Sequence, residues 1–308
     1  MNHSNFDLRA TAHLVAASAC WGLATVITKH ILTSIPPITL LTIQLIVSVS
    51  LLWSLVFFKE RQLPEKNRWL KVGWLGLLNP GISYTLSLVG LTTTTASMST
   101  LLWASEPVLI LLLAWWILRE KLTRKLFLLS LVAILGVVLI SGLVTGDWAA
   151  GNLSGNLLIL GGVLCCAFYT VLTRQVGQDF DPLVAVTLQQ TVALIWALML
   201  IPFEWNIGGL INLGELGASN WFWAGTSGVV YYALAFWFYL QGLARMRASM
   251  VGVFINLIPV FGIGGAYLFL GERLTLIQWI GASAILLSVF AILFFNDLAD
   301  NLQKSPAR

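Results

Sequence analysis

Long apolar runs separated by short polar segments make up most of the chain. A helix needs roughly 17 to 25 apolar residues to cross about 30 Å of hydrocarbon. Ten runs meet that length, near Thr11 to Leu32, Ile38 to Phe58, Trp69 to Gly90, Ala96 to Leu118, Leu126 to Gly142, Asn156 to Arg174, Leu183 to Pro202, Trp221 to Leu243, Ser249 to Leu270 and Leu274 to Phe295. The longest connection, Glu204 to Asn220, is too short for a soluble domain. The pattern predicts an all-α polytopic membrane protein with ten transmembrane helices.

The pattern of residues also repeats within the chain, at two offsets. At a shift of about 145 positions, the matched residues are Cys20, Thr25, Thr28, Lys29, Pro37, Thr42 and Gln44 with Cys165, Thr170, Thr173, Arg174, Pro182, Thr187 and Gln189. At a shift of about 152, they include Trp69, Gly73, Gly76, Gly90, Ala96, Pro107, Glu120 and Thr123 with Trp221, Gly225, Gly228, Gly242, Ala248, Pro259, Glu272 and Thr275. The halves are residues 11–142 and 156–295.

Each half holds five predicted helices, and five is an odd number, so the second copy must enter the membrane from the opposite side. Inverted repeats of this kind give alternating access in many secondary transporters, because the halves can exchange conformations around a site at their interface. The alternative is a duplication that only enlarged a helix bundle. The sequence therefore predicts two inverted five-helix repeats with a solute site between them.

Charge and composition give the orientation of the helices. Hydrophobic residues make up 58% of the chain, and 15 of the 17 Lys and Arg residues fall at one end of the predicted helices. Positive residues are retained on the cytoplasmic side, so we predict that both termini are cytoplasmic. The positive charges lie in short loops, so no nucleic-acid partner is indicated. The lipid bilayer is the expected environment.

Glu106, followed directly by Pro107, is the polar residue hardest to explain by packing. An ionised carboxylate at the centre of a bilayer costs about 3 kcal/mol or more, so it should face the bundle interior. It could hold an ammonium group of a substrate or release a proton as substrate binds; alternatively, it is protonated and bonds a neighbouring helix. Pro107 and Pro259 each free a backbone carbonyl near the midplane and are candidate hinges.

Polar and aromatic residues share faces with Glu106 or lie deep in other runs. Helical spacing places Ser99 and Trp103 on the face of Glu106, and Trp21 and Thr25 together on the first helix. The candidate substrate-binding residues are Trp21, Thr25, Gln44, Tyr84, Ser99, Trp103, Glu106, Tyr169, Gln189, Tyr232, Phe236 and Asn256. Helix packing is the alternative for each of them. Glu120 and Glu272, beside basic residues, are expected to form local ion pairs.

Enzymatic classes find little support. Gly225 to Gly228 resembles the nucleophile segment of an intramembrane serine protease. Such a nucleophile needs a base within hydrogen-bond reach, usually a His, and His3, His13 and His30 all lie near the chain start and are expected toward the membrane edges. No metal-binding or phosphate-binding motif occurs, so we expect no enzyme activity, no metal and no cofactor. Energy would come from gradients, and a channel or membrane scaffold stays open as an alternative.

The stretch from Cys20, Trp21 and Gly22 to Lys29, and the segment Gly90 to Thr123 with its repeat Gly242 to Thr275, resemble the drug/metabolite transporter superfamily, EamA type. The resemblance implies a ten-helix inner-membrane carrier with a central cavity, in a family that often exports amino acids and other small metabolites. Gln44 replaces an Arg common on the second helix of such families. We predict a monomeric secondary exporter of small organic metabolites; the alternative within the fold is a multidrug or organic-cation exporter.

Overall fold

The computed structural model describes residues 8–61, 63, 66–117, 119, 124–140, 152–176, 181–206, 214, 216–243, 254–255 and 257–304. These residues form helices, and no strand occurs among them. The α-helices are α1 (Leu8–Ile31), α2 (Pro37–Phe58), α3 (Lys66–Gly73), α4 (Ser83–Thr93), α5 (Ala96–Trp103), α6 (Glu106–Ile117), α7 (Arg124–Ile140), α8 (Asn152–Val176), α9 (Pro182–Glu204), α10 (Ala218–Gly228), α11 (Ala235–Leu243), α12 (Ile258–Gly265) and α13 (Leu276–Lys304). Three π-helical segments join some of them: π1 (Leu77–Ile82), π2 (Val229–Leu234) and π3 (Ala266–Leu270).

These elements make ten spans within the described residues, because α3–π1–α4, α5–α6, α10–π2–α11 and α12–π3 each form one interrupted span. Five helices are long and apolar enough on their own to cross a membrane: Leu8–Ile31, Pro37–Phe58, Ala96–Ile117, Leu153–Leu172 and Leu183–Glu204. The predicted all-α polytopic fold is confirmed. The last helix, α13, ends at Lys304, nine residues past the predicted end at Phe295. The prediction counted only the apolar run, whereas the helix continues through the polar residues that follow it. The predicted start of the ninth span at Ser249 lies outside the described residues.

Side-chain bonds show which helix ends share a face of the bundle. We call the face where α1 begins and α13 ends the terminal face, and the other the opposite face. At the opposite face, the Lys29 ammonium near the end of α1 donates to the Leu91 carbonyl of α4 at 2.7 Å. At the terminal face, Arg61 after α2 forms an ion pair with Asp181 before α9 at 3.3 Å. Successive spans therefore run antiparallel.

The helix contacts recur when the residue numbers are shifted by the repeat. Helices α2 and α9 pack against each other in the middle of the bundle, α1 packs against α11, and α4 packs against α8. Under the shift, α1 corresponds to α8 and α4 to α11, so the last two contacts are copies of one another. Helices α7 and α13, the last of each half, also pack together. Most of the extensive contacts thus join one half to the other.

Two glycines allow the closest of these contacts. A Cβ atom on Gly76 would overlap the backbone of Gln189, and one on Gly228 would lie 2.8 Å from the Gln44 carbonyl oxygen. Gly76 corresponds to Gly228, and Gln189 to Gln44, so the same backbone approach occurs twice. Small residues at such positions let transmembrane helices pack at short distance. The two glycines fix where the third and eighth spans cross α9 and α2.

The third and eighth spans are interrupted at matching positions. Segments π1 and π2 begin and end at residues that the repeat relates, 77 with 229 and 82 with 234. The interruption in π1 is a kink, where Asn79 has an extended backbone (φ −144°, ψ 120°) and Pro80 follows it. The interruption in π2 is a wide turn, and wide turns of this kind are frequent at functional sites. Both interruptions lie beside the central helices α2 and α9.

Two carboxylates bind helix N-termini at the opposite face, and both bonds join the two halves. Glu204 accepts from the Ile38 and Thr39 amides at 2.7 and 2.8 Å and from the Thr39 hydroxyl. Glu272 accepts from the Ala96 and Ser97 amides at 2.9 Å each and from the Ser97 hydroxyl. Free amides at a helix start attract a carboxylate.

The expectation of a local ion pair at Glu272 was therefore wrong. Its carboxylate binds the start of α5, while the Arg273 guanidinium lies 5.4 Å from the centre of the Tyr267 ring. The backbone amides at the start of α5 bind the Glu272 carboxylate in place of Arg273, since they offer two aligned donors to a single carboxylate. Glu120, its counterpart, lies outside the described residues.

Candidate functional site

A small cavity lies between the two halves, toward the opposite face. Both halves supply its walls: α1, α2, α4 and α5 from the first, π2 from the second. Its lining residues are Thr25, Thr28, Gln44, Tyr84, Ser87, Leu88, Leu91, Ser99, Trp103, Tyr231 and Tyr232. Thr28 and Leu91 lie within a turn of the ends of α1 and α4, which places the cavity on the opposite-face side of the midplane. We call it the first cavity.

Four aromatic side chains form one wall of the first cavity. Tyr84 is central, with ring centroids 5.6 Å from Trp103, 5.4 Å from Tyr231 and 5.2 Å from Tyr232. The Tyr231 and Tyr232 rings are 5.1 Å apart. These separations fall in the range of favourable aromatic pairs, so the rings hold one another in position. The wall offers flat apolar faces and phenolic hydroxyls to a solute.

Amide and hydroxyl groups supply the polar part of the same cavity. The Gln44 amide nitrogen donates to the Ser227 hydroxyl at 2.8 Å and to the Thr28 hydroxyl at 3.2 Å. The Gln44 Oε1 and the Ser87 hydroxyl are buried and have no hydrogen-bond partner among the described residues. A buried polar group without a partner costs free energy, so these two atoms are poised to bond a solute or water.

A second small cavity lies toward the terminal face. Its lining residues are Asn79, Pro80, Tyr169, Val186, Gln189, Gln190 and Phe236. The Tyr169 hydroxyl donates to Gln189 at 2.8 Å, and the Ser48 hydroxyl donates to the Gln190 carbonyl oxygen at 2.7 Å. Asn79 Oδ1 and Gln190 Nε2 are buried without a partner among the described residues.

The repeat relates the linings of the two cavities. Gln44 corresponds to Gln189, Tyr84 to Phe236, and the pair Tyr231 and Tyr232 to Asn79 and Pro80. Each cavity is thus built from the interrupted segment of one half, π1 or π2, and a glutamine on the central helix of the other half. The first cavity lies nearer the opposite face and the second nearer the terminal face. The two are copies at different depths of the bundle.

The structure separates Glu106 from both cavities. Its carboxylate accepts from the Cys166 thiol of α8 at 3.3 Å, at the start of α6. Tyr84 of the first cavity interacts electrostatically with Glu106, so the carboxylate lies near the aromatic wall without being a lining residue of either cavity. Pro107 follows a break in the fourth span at Ala104 and Ser105, where its missing amide and ring disfavour a continuous helix.

The other predicted site residues fall into five groups. Thr25, Gln44, Tyr84, Ser99, Trp103 and Tyr232 line the first cavity. Tyr169, Gln189 and Phe236 line the second. Trp21 lines neither; its ring packs 5.3 Å from Phe236 and 5.7 Å from Tyr239. Asn256 lies outside the described residues. Pro259 is buried in the first turn of α12. Any role of these residues in binding or hinge motion stays a prediction.

Several lining residues were missed because helical periodicity does not reveal them. Tyr231 is adjacent to Tyr232, and an α-helix would point the two in directions about 100° apart, but the wide turn lets both line the cavity. Asn79 and Gln190 are polar residues deep in apolar runs, and that signal was available. Ser227 of the protease-like segment bonds Gln44 and the Ala224 carbonyl, so it joins α10 to α2.

Known proteins resemble the chain over nearly its whole length. The sequence model of the EamA-like transporter family matches residues 9–142 and again 153–294. The uncharacterized transporter YetK of Bacillus subtilis is 26% identical over 296 residues, which cover 92% of this chain and 86% of YetK. The uncharacterized transporter sll0355 of Synechocystis is 26% identical over 313 residues, covering 94% and 91%. A solved crystal structure aligns over 94% of this chain and 99% of its own, with a TM-score of 0.65 at 18% identity.

Proposed function

Because the chain belongs to the EamA-like transporter family, we propose that it is a secondary carrier that exports small organic metabolites such as amino acids. The first cavity carries the proposal, since both halves line it and it holds buried polar atoms without partners among the described residues. In this proposal residues 11–142 and 156–295 are inverted copies, and the solute site alternates between the two membrane faces. Family and relatives are transporters, which points away from an enzyme.

The bonds between the halves are the contacts that would break when a face opens and form again when it closes. At the opposite face these are the Glu204 and Glu272 carboxylates on the starts of α2 and α5. At the terminal face it is the ion pair of Arg61 with Asp181. Opening one face requires its own bonds to break while the others persist. The excess of Lys and Arg on the terminal face supports a cytoplasmic terminal face in the inner membrane.

Proton coupling through Glu106 is part of the proposal. The carboxylate lies in a membrane span, bonded to Cys166 and within electrostatic range of Tyr84. Solute against the aromatic wall would move Tyr84 and change the surroundings of the carboxylate. A proton released there would link flux to the proton gradient. The residue is a positioning and proton-holding group in this scheme and does not line the cavity.

Counterflow in proteoliposomes tests the carrier assignment. Purified protein is reconstituted with a high internal concentration of unlabelled phenylalanine, leucine or adenine, and uptake of the same radiolabelled compound is followed. A carrier gives transient accumulation that saturates, because labelled solute exchanges for unlabelled solute. A channel gives flux without accumulation, and a scaffold gives none, so either result refutes the carrier.

The aromatic wall favours a second candidate, an organic-cation exporter. Four rings surround part of the first cavity, and aromatic faces attract cations by cation–π interaction. The same counterflow assay with tetraethylammonium distinguishes the candidates. Accumulation of tetraethylammonium without accumulation of the neutral solutes would favour the cation exporter over the metabolite exporter.

A further inference from the structure

We propose that the turn between α2 and α3, at the terminal face, binds an anionic phospholipid of the surrounding leaflet. The site consists of residues 57–61 and 66–74, which we call the basic turn. Its cations hold the lipid phosphate, and its exposed apolar side chains lie against the acyl chains. This lipid binding goes beyond the proposed transport function and does not depend on it.

The backbone fixes the end of α2 and, with it, the first two cations of the basic turn. Glu60 has a left-handed backbone with a φ of 49°. Its amide donates to the Phe57 carbonyl at 3.1 Å, and the next amide, of Arg61, donates to the Val56 carbonyl at 3.1 Å. These two bonds form a Schellman motif, which ends a helix in a defined direction. Lys59 and Arg61 therefore leave α2 at a fixed position on the terminal face.

Both of these cations are exposed and can bind an anion. The Lys59 ammonium lies 5.9 Å from the centre of the Trp237 ring, a contact that engages only one side of the ammonium. Arg61 forms its ion pair with Asp181 at 3.3 Å, and its side chain is 50% exposed. A guanidinium has five N–H donors, so Arg61 can bind a phosphate while it stays paired. Three further cations follow at the start of α3: Lys66, Arg68 and Lys71.

Large apolar side chains are exposed next to these cations. Phe57 and Phe58 are 68% and 86% exposed at the end of α2, and Leu70 and Trp74 are 71% and 49% exposed in and just after α3. Val72 of α3 is buried, and the helix packs against α9. Aromatic residues at the end of a membrane span lie at the level of the lipid headgroups. The basic turn thus combines positive charge and apolar surface at the depth where a phospholipid has its phosphate and the start of its acyl chains.

The second half keeps the apolar part of this segment and lacks the cations. Residues 59–71 include five basic and two acidic residues, whereas the corresponding residues 204–223 include two acidic and no basic residues. Trp221 and Phe222, the counterparts of Trp69 and Leu70, are exposed as they are. Ala224, the counterpart of Val72, is buried in the same way. The helix therefore packs without the cations, and their charge is available to a partner.

An anionic phospholipid is the partner that uses both features of the basic turn. Retention of positive charge on the cytoplasmic side accounts for cations anywhere on this face, but it does not require them to lie beside exposed apolar residues. Clusters of about four to eight basic residues next to a membrane span are typical of binding to anionic lipids. A phospholipid without net charge would leave the cations unused, and a free phosphate would leave the apolar surface unused.

Native mass spectrometry of the purified protein in detergent measures bound lipid directly. The protein is titrated with dioleoyl phosphatidylglycerol and with dioleoyl phosphatidylcholine, which has the same acyl chains and no net charge. Glycerol phosphate serves as the free headgroup anion. Lys66→Gln combined with Lys71→Gln removes two cations from α3. Arg124→Gln combined with Lys125→Gln removes two cations from the start of α7, at the same face, and is the matched control.

We expect the native protein to bind phosphatidylglycerol more tightly than phosphatidylcholine, and added salt to weaken only the former. Each Lys or Arg near an anionic lipid surface contributes about five-fold in affinity, so the α3 double variant should raise the Kd for phosphatidylglycerol about 25-fold. Its Kd for phosphatidylcholine should stay nearly unchanged, as should both values for the α7 double variant. Leu70→Gln should weaken both lipids, because it removes an apolar contact with an acyl chain.

Equal binding of the two lipids by the native protein would overturn the inference. An equal loss in the two double variants would overturn it as well, because the lipid would then respond to the charge of the whole face. Displacement of phosphatidylglycerol by glycerol phosphate would show an anion site in place of a lipid site. If the α3 double variant fails to fold, the preference of the native protein between the two lipids and its salt response still decide. Counterflow is a separate measurement, so failure here leaves the proposed carrier function intact.

Discussion

Replacing Gly228 with alanine tests the close contact between the eighth span and α2. A Cβ atom there would meet the Gln44 carbonyl oxygen at 2.8 Å and the Gln44 Cα at 2.9 Å, whereas ordinary contacts begin at 3.4 Å. The backbones would have to separate by about 0.6 Å, and both belong to packed helices. A Cβ atom on Gly225, in the same helix, would meet nothing within 4 Å among the described residues, so Gly225 provides the matched control.

The expected change in the free energy of unfolding follows from two opposing effects. Alanine stabilises a helix interior by up to about 1 kcal/mol over glycine, and this gain is common to both variants. Overpacking of a filled contact costs about 1–3 kcal/mol and arises only at Gly228. The difference between Gly225→Ala and Gly228→Ala therefore isolates the packing effect. We expect Gly228→Ala to be less stable than Gly225→Ala by about 1–3 kcal/mol.

Equilibrium unfolding in mixed detergent micelles measures the free energies of unfolding of the native chain and both variants. Gly225→Ala should be neutral or slightly more stable than the native protein. The same series applies to the other half, where Gly76→Ala should be at least as destabilising as Gly228→Ala because its Cβ would overlap the Gln189 backbone. Equal stabilities of Gly225→Ala and Gly228→Ala would refute the close contact and the crossing of helices that depends on it.

Three further predictions concern charge and aromatic contacts. Glu272→Ala should lower the free energy of unfolding by about 1–3 kcal/mol, with Glu272→Gln near half of that, because the amides of α5 lose their acceptor; unchanged micelle unfolding would contradict the cap. Glu106→Gln should make counterflow independent of pH while the native protein stays pH-dependent, and matching pH profiles would exclude proton coupling at this carboxylate. Trp103→Ala should raise the half-saturating phenylalanine concentration about 2- to 13-fold, with rescue by Trp103→Phe, since one aromatic pair contributes about 0.5–1.5 kcal/mol; an equal rise for leucine would argue against ring stacking.

The fold was predictable because hydrophobic length and charge are properties of the chain itself. Ten apolar runs gave ten spans, and family membership and the all-α polytopic fold were confirmed. The interruptions were less visible. Pro107 follows the break in the fourth span and Pro259 lies in the first turn of α12, but the wide turn at 229–234 contains no proline or glycine. Its geometry depends on packing against α2, α1 and α10, which no local pattern encodes.

The candidate site was predictable residue by residue only in part. Gln44, Tyr84 and Trp103 were chosen because polar or aromatic side chains deep in apolar runs need partners, and they line the first cavity. Glu106 was chosen on the same ground, yet it lines neither cavity and bonds Cys166. Sequence gives the depth of a residue along its helix and leaves its rotation toward a neighbour undetermined. The division of the candidates between two cavities needed the three-dimensional contacts.

The wide turn π2 has a consequence for insertions and deletions. An α-helix rotates by about 100° per residue, so losing one residue usually turns everything beyond it to a new direction. A π turn accommodates an additional residue, and a one-residue deletion between Val229 and Leu234 would restore α geometry while keeping α10 and α11 facing as they do now. The same deletion inside Ala235–Leu243 would rotate the rest of that helix away from α1. The eighth span is therefore most tolerant of shortening at the point where it contributes two consecutive tyrosines to the cavity.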